Sequence, residues 1–371
     1  MSAAAPEVDL LALTAELVAI PSVSGAEGPI ADRVQEWCAA CGWLETSRIG
    51  HNVVARTALG RPQRLLIAGH LDTVPPNGNA EPRLDGDRVA GLGAADMKGG
   101  LAVMMALAAC VARPSVDVTY VWYAAEEIAR EHSGLLEVAA ARPDLLEADA
   151  AVLGEPTGAA PEAGCQGTMH LRVTLRGERA HTARPWMGRN AVHRLADVLG
   201  ALASYEPRRP VIDGCAYAEA LVATGVSGGV AGNVVPDEAV LAVNHRFAPD
   251  RTPAEAAEAV GALLAAHLED GDSLEVTETA PAAAPQLDHP LLAAIVRAGG
   301  GAGAVRAKLG WTDAAFFAAR GVPALNFGPG RSELAHTAGE YVSRGALEAV
   351  YGALAAVIGG QRERSTEMAR P

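Results

Sequence analysis

At 371 residues the chain exceeds what one hydrophobic core ordinarily organises, so two domains are expected. Half of its residues are hydrophobic, few are aromatic and 40 are glycine, which fits a tightly packed α/β protein and excludes fibrous and disordered classes. A net charge of −14 without any Lys/Arg cluster excludes a nucleic-acid surface. Glu7, Asp9 and Glu16, with no basic start leading into an apolar run, exclude a signal peptide or spanning helix over Met1 to Ile20 and point to the cytoplasm.

Leu10 to Ile20 reads as a helix stopped by Pro21. Ile30 to Cys41 also reads as helical and holds a lone C-x-x-C, Cys38 and Cys41. With five irregularly spaced cysteines and no second pair, these are expected to be packing residues rather than a disulfide framework or a thiolate zinc site. Arg64 to Gly69 (RLLIAG), Val116 to Ala124 (VDVTYVWYA) and Ala148 to Leu153 read as buried strands, and Lys98 to Arg113, apolar nearly all round, as a buried helix. Strands alternating with helices predict a mostly parallel central sheet covered on both faces.

The pattern changes at Thr168. Met169, Leu171, Val173 and Leu175 alternate with His170, Arg172, Thr174 and Arg176, the period of a strand with one wet face. A helix over Asn190 to Tyr205, strands at Leu221 to Val226 and Ala239 to Phe247, a helix over Pro253 to Leu268 and a strand at Leu274 to Thr279 complete a βαββαβ order, the split βαβ arrangement. The Ala/Pro-rich run Ala280 to Pro285 reads as a linker, after which Val322 to Phe327 gives another buried strand and Gly345 to Ile358 a terminal helix. Residues 1–166 and 284–371 are therefore expected to form one catalytic domain, interrupted by residues 167–283.

Three of the first domain's strands run into side chains able to bind metal: His70, the pair Glu126-Glu127, and Glu155. In open parallel sheets function gathers at the carboxyl ends of strands. Asp96 lies in the glycine-rich loop before the buried helix, and His336 in ELAHT after the VPALNF strand. Each alone reads as a turn, cap or surface residue; their shared position is what singles them out. Asp72 follows His70 at i+2, where it can accept a hydrogen bond from the ring nitrogen not used for metal. Glu126 and Glu127, as neighbours on extended backbone, point apart, so one can bind metal while the other serves as a base. Two histidines and three carboxylates suit two zinc ions, with cobalt or manganese as alternatives. Such a pair polarises an amide carbonyl and lowers the pKa of water.

The motifs GHLDTVP, GAADMKGG, the EE pair, GEPT and the late AHT, in this order along essentially the whole chain, resemble the dinuclear-zinc aminoacylase and carboxypeptidase family. The resemblance implies a zinc-peptidase-like catalytic domain and an inserted ferredoxin-like dimerisation and lid domain. It implies that Asp96 bridges two metals, that His70 and Glu155 complete one site and Glu127 and His336 the other, with Glu126 as base and Asp72 orienting. His181 matches the family's lid histidine, which reaches across a homodimer to the tetrahedral oxyanion.

Within the family, GCQGT, WMGRNAVH, VIDGCAYAEAL, GGVAGNVVPD, NHRFAPDR and KLGWTDAAFFAARGVPALNFGPG are most similar to actinobacterial-type succinyl-diaminopimelate desuccinylases. This implies hydrolysis of N-succinyl-LL-2,6-diaminopimelate. A polycarboxylate substrate needs cations, and Arg184, Arg246 and Arg331 are candidates because guanidinium forks match carboxylates; Asn233 is a further contact that the resemblance implies. Where HSARSW is expected the chain reads HTARPW, a form that related deacylases also use. An acetylornithine-type deacetylase, a glutamate-carboxypeptidase-like amidase and a catalytically silent binding protein are the alternatives. His245 alternates with Leu241, Val243 and Phe247 and reads as a packed histidine.

Overall fold

The structure, a computed structural model, describes residues 8–359. Residues 1–7 and 360–371, which carry the outer ends of the expected catalytic domain and Glu7, lie outside the described residues. The chain divides into two compact units: one runs through Ala163 and takes in Gln286–Arg306 and the chain from Phe317 onward, the other is Gly164–Pro285 with Ala307–Phe316. No described helix is long and apolar enough to cross a membrane.

The first unit is built on an eight-stranded sheet whose centre is parallel, with spatial order Asp117–Tyr123, Arg64–His70, Ala150–Leu153, Ala324–Asn326. The first three of these strands are buried along essentially their whole length, which is why they read as continuous apolar runs rather than alternating ones. Antiparallel strands extend the sheet on either side: Glu45–Ile49 and Asn52–Arg56 form a hairpin against Asp117–Tyr123, and Glu162–Ala163 pairs with Ala324–Asn326. The hairpin is absent from the expectation drawn from sequence.

Helix Gly99–Cys110 buries ten of its residues and packs against Leu10–Val18, Gly28–Ala40 and Arg344–Ile358. Its first turn lies hard against the strand ends. A Cβ at Gly100 would stand 2.5 Å from the Gly154 carbonyl oxygen, a main-chain atom, so glycine is required there by close approach; one at Gly69 would meet Met97 Cε at 2.4 Å and displace that side chain. A separate three-stranded sheet, Arg83–Asp85, Arg88–Ala90 and Tyr341–Ser343, brings the late part of the chain beside the loop that follows Ala90. Cys38 and Cys41 are free and buried, and burial pushes the Cys38 thiol up to about 12, a packing residue rather than a nucleophile.

The second unit has a four-stranded antiparallel sheet in the order Ala220–Gly228, Glu238–Phe247, Gly167–Arg176, Ser273–Ala280. With helices Ala191–Ala203 and Pro253–Leu264 between the strands in sequence, this is the ferredoxin-like topology. Met169, Leu171, Val173 and Leu175 join Leu195, Val198, Val260 and Leu264 in one core. A capping box between Thr252 and Glu255 starts the second helix. Ala307–Phe316 also belongs to this unit, although in sequence it lies within the returning catalytic segment.

Candidate metal centre

His70 ends its strand with a ring only 1% exposed. Its Nδ1 donates to the Asp72 main-chain carbonyl at 3.0 Å, which leaves Nε2, 3.0 Å from Asp96 Oδ1, as the ring nitrogen available to a metal. Burial, the largest influence, disfavours a charged ring, yet the Asp72 and Asp96 carboxylates and the Glu126 charge outweigh it and raise the His70 pKa well above the ordinary histidine range.

The expected contact between the ring and the Asp72 carboxylate differs in the structure. The carbonyl takes the ring proton, and Asp72 Oδ1 stands 3.6 Å from Nδ1. The carboxylate accepts instead from Ser24 Oγ at 2.7 Å and from the Glu126 and Glu127 N–H groups, each at 3.0 Å. Burial alone would raise the Asp72 pKa, but His70 beside it and these donors hold it down to about 2. Asp72 thereby orients the Glu pair as well as its own strand end.

Two further N–H groups complete that arrangement: Ala124 donates to Asn52 Oδ1 at 2.9 Å and Ala125 to Glu27 Oε1 at 3.1 Å. Four consecutive main-chain donors, residues 124–127, are thus held by side chains from three other parts of the chain. Ala125 has φ +58°, a left-handed conformation that costs a non-glycine residue on the order of 1 kcal/mol, and these bonds hold it there.

Glu127 Oε1 lies 2.9 Å from His336 Nε2, which is also 3.7 Å from Asp96 Oδ2. The bond to Glu127 is the main reason that the His336 pKa is raised, partly opposed by burial and supported by the Asp96 charge. Donor atoms of His70, Asp96 and Glu127 all lie within 4.8 Å of one another. Ala150–Leu153 runs parallel to Arg64–His70 with Leu153 opposite Ala68, and Glu155, 6% exposed, follows two residues beyond that strand end. The donor set fits a divalent cation: imidazole nitrogens and carboxylate oxygens, the donors such an ion prefers, converge on one place.

Comparison with known proteins agrees with this chemistry. The profile of peptidase family M20/M25/M40 matches residues 66–359. The chain belongs to this family. It is 47% identical over 355 residues to a Mycobacterium tuberculosis protein provisionally assigned as a succinyl-diaminopimelate desuccinylase, covering 95% of this chain and 98% of that one. It is 41% identical over 340 residues to the succinyl-diaminopimelate desuccinylase of Corynebacterium glutamicum, covering 89% and 92%. Two solved structures share the fold: a Staphylococcus aureus tripeptidase (TM-score 0.78, 22% identity, 96% of this chain and 98% of that one) and a Sulfolobus solfataricus M20 metallo-carboxypeptidase (TM-score 0.74, 16% identity, 94% and 98%). As an M20 member the chain is a metal-dependent hydrolase.

Of the remaining candidates of this M20 chain, Arg331 lies exposed in the first unit with its Nε 3.5 Å from Glu333, and the others lie in the second unit and form two groups. His181 bridges Val234, Thr182 N–H donates to the Asn233 carbonyl and Arg184 N–H to the His181 carbonyl, so His181, Arg184 and Asn233 share one pair of exposed loops. His181 Nδ1 accepts from Ala183 N–H at 3.0 Å, which puts the ring proton of the neutral form on Nε2. Arg246, half-buried, pairs opposite Thr168, whereas these loops leave the sheet where Glu238 pairs with Arg176. The eight-residue offset along the strand is about 26 Å. Sequence reasoning missed Glu27, Asn52 and Glu340, whose side chains accept main-chain N–H groups of the metal-site loops.

Proposed function

We propose that this protein removes the succinyl group from N-succinyl-LL-2,6-diaminopimelate, giving succinate and LL-diaminopimelate. The observation that carries the substrate is the 41% identity to the Corynebacterium glutamicum enzyme over nearly the full length of both chains. The chemistry is supported by the convergence of His70, Asp96, Glu127 and His336.

In this reading His70 and Glu155 would hold one zinc ion and Glu127 and His336 the other, with Asp96 shared between them. Cobalt or manganese would serve the same donors. The ions, when bound, supply Lewis acidity toward the amide carbonyl and toward water. Glu126, held through its N–H by Asp72, takes a proton from the attacking water as oxygen adds to the succinyl carbonyl carbon. As the C–N bond breaks, Glu126 hands that proton to the departing amine. His181 donates a hydrogen bond from its Nε2–H to the oxyanion, and Arg184, Arg246 and Asn233 meet the substrate carboxylates.

We read the protein as a homodimer, a reading supported by the arrangement of the two groups in the second unit. The loops leave the sheet about 26 Å along the strand from Arg246, more than the reach of an acylated diaminopimelate, which favours a site that draws Arg246 and the His181 loops from two copies. Ala220–Gly228, an edge strand with Val222 and Val226 more than half exposed, is the surface suited to pair with a second copy. The test is amine release from N-succinyl-LL-2,6-diaminopimelate by zinc- or cobalt-loaded protein. Turnover confined to acetylornithine or dipeptides would overturn the substrate, and tight binding without turnover would make this a binding protein.

A further inference from the structure

We propose that Glu340 is a positioning residue that fixes the loop carrying Asp96 in its metal-bridging conformation; this rests on the two-metal reading above. Glu340 is 2% exposed, and its carboxylate gathers three consecutive-loop donors. Oε1 accepts from Ala95 N–H at 2.8 Å and Asp96 N–H at 2.9 Å, and Oε2 from Gly93 N–H at 3.0 Å. The Asp96 main chain is therefore held directly, one residue's length from the carboxylate that faces His70 and His336.

Main-chain bonds shape the rest of the loop, Ala94 N–H to the Gly91 carbonyl at 3.1 Å and Lys98 N–H to the Gly93 carbonyl at 2.7 Å, but leave the Gly93, Ala95 and Asp96 donors to Glu340. Gly93 turns it with φ +77°, and Asp96 itself is extended, with φ −125° and ψ 92°, so no regular ladder satisfies these N–H groups. A carboxylate is the one side chain that offers acceptors to all three donors without presenting a donor of its own. Glu340 also lies four residues after His336. Asn79 ties the intervening segment to the loop, donating from Nδ2 to the Thr337 carbonyl at 3.1 Å while its own carbonyl accepts from Leu92 N–H at 2.7 Å. One short stretch, His336 to Glu340, thus supplies a candidate ligand for one metal and the clamp on the bridge between both, so the clamp sets Asp96 at the spacing the His336 site requires.

A buried carboxylate that only supports the fold provides the control. Asp117 accepts from Thr57 Oγ1 and from the Leu59 and Arg61 N–H groups, at the amino end of its strand and away from the His70 level. The experiment compares wild type, Glu340→Ala, Glu340→Gln and Asp117→Asn for cobalt stoichiometry, cobalt affinity, the cobalt d–d absorption spectrum and melting temperature.

Glu340→Ala is expected to weaken cobalt binding about 10- to 100-fold and shift the d–d bands. Glu340→Gln should fall between, since its one oxygen can keep Ala95 and Asp96 while its amide faces the Gly93 N–H. Asp117→Asn should lower the melting temperature yet bind cobalt with wild-type affinity and spectrum. If Glu340→Ala does not fold, Glu340→Gln carries the comparison. Wild-type affinity and spectrum in both folded Glu340 variants would overturn the proposal, as would equal metal loss in Asp117→Asn. Should wild type take up a single cobalt ion, the two-metal reading falls, while selective loss of that ion in the Glu340 variants still supports the clamp.

Discussion

The separation of His181 from Arg246 makes a quantitative prediction about mixtures of two defective chains. Glu126→Ala removes the base, and is expected to lower turnover by 10²- to 10⁴-fold while both metals stay bound, because the base is not a ligand. His181→Ala removes an oxyanion donor, with a loss of about 10²- to 10³-fold. In the proposed dimer a substrate that meets Arg246 and the metal centre of one copy meets His181 of the other, because the His181 loops leave the sheet eight residues, about 26 Å, along the strand from Arg246. When the two variants exchange subunits at random, about half of the dimers are mixed, and each mixed dimer has one complete site out of two. Activity should rise to about a quarter of the wild-type value, measured as succinate or amine release after exchange and calibrated by wild type taken through the same exchange. A mixture no more active than the mean of its components would refute the reasoning, because both residues would then serve the same chain. Metal loss from Glu126→Ala would mean that Glu126 and Glu127 have exchanged roles.

Two glycine substitutions should behave oppositely. Gly100→Ala puts a methyl 2.5 Å from the Gly154 carbonyl oxygen, a main-chain atom unable to swing aside, and should destabilise by about 1–3 kcal/mol and weaken metal binding through the adjoining Glu155. Gly200→Ala, in a helix with nothing within 4 Å of the new methyl, should instead stabilise by about 0.4–1 kcal/mol; thermal melts and cobalt titration distinguish the two. His245 supplies a pH signature. Burial, partly opposed by the bond from Nδ1 to the Ala220 carbonyl, lowers its pKa in the folded chain. The unfolded chain therefore binds a proton that the folded one resists, so stability is full above about pH 6.5 and declines as the pH falls below it, by at most about 1.4 kcal/mol per pH unit for this proton. His245→Asn, which keeps a donor for Ala220, should flatten that decline in urea titrations at pH 5 to 7; an unchanged slope would assign the acid sensitivity elsewhere.

What was legible in the sequence follows from how each element is stabilised. The central strands announce themselves because both faces are buried, so RLLIAG, VTYVWY and AVL are apolar without interruption and the polar residue after each stands out. The second unit is legible for the opposite reason: one wet face imposes alternation from Met169 to Leu175. The Glu45–Arg56 hairpin was not, since ETSRI is polar and its turn, Gly50-His51, is not among the strongest hairpin signals. Nor were Glu27, Asn52 and Glu340 legible. A side chain that accepts main-chain N–H groups recognises no particular sequence at the other end, so nothing in its neighbourhood marks it. Asp72 shows the same limit: its spacing from His70 predicted a partner for the ring, while its carboxylate serves residues 54 and 55 positions away.

The bonds from Gly93, Ala95 and Asp96 to Glu340 join residues 244 to 247 positions apart. During synthesis from the amino terminus, His70, Asp96, Glu127 and Glu155 all emerge long before Glu340 and His336 do, so a nascent chain carries four of the five candidate ligands with the loop between them still unclamped. Maturation of the centre is thereby tied to synthesis of the His336–Glu340 stretch: a chain interrupted before it lacks both the His336 donor and the carboxylate that holds the Asp96 loop.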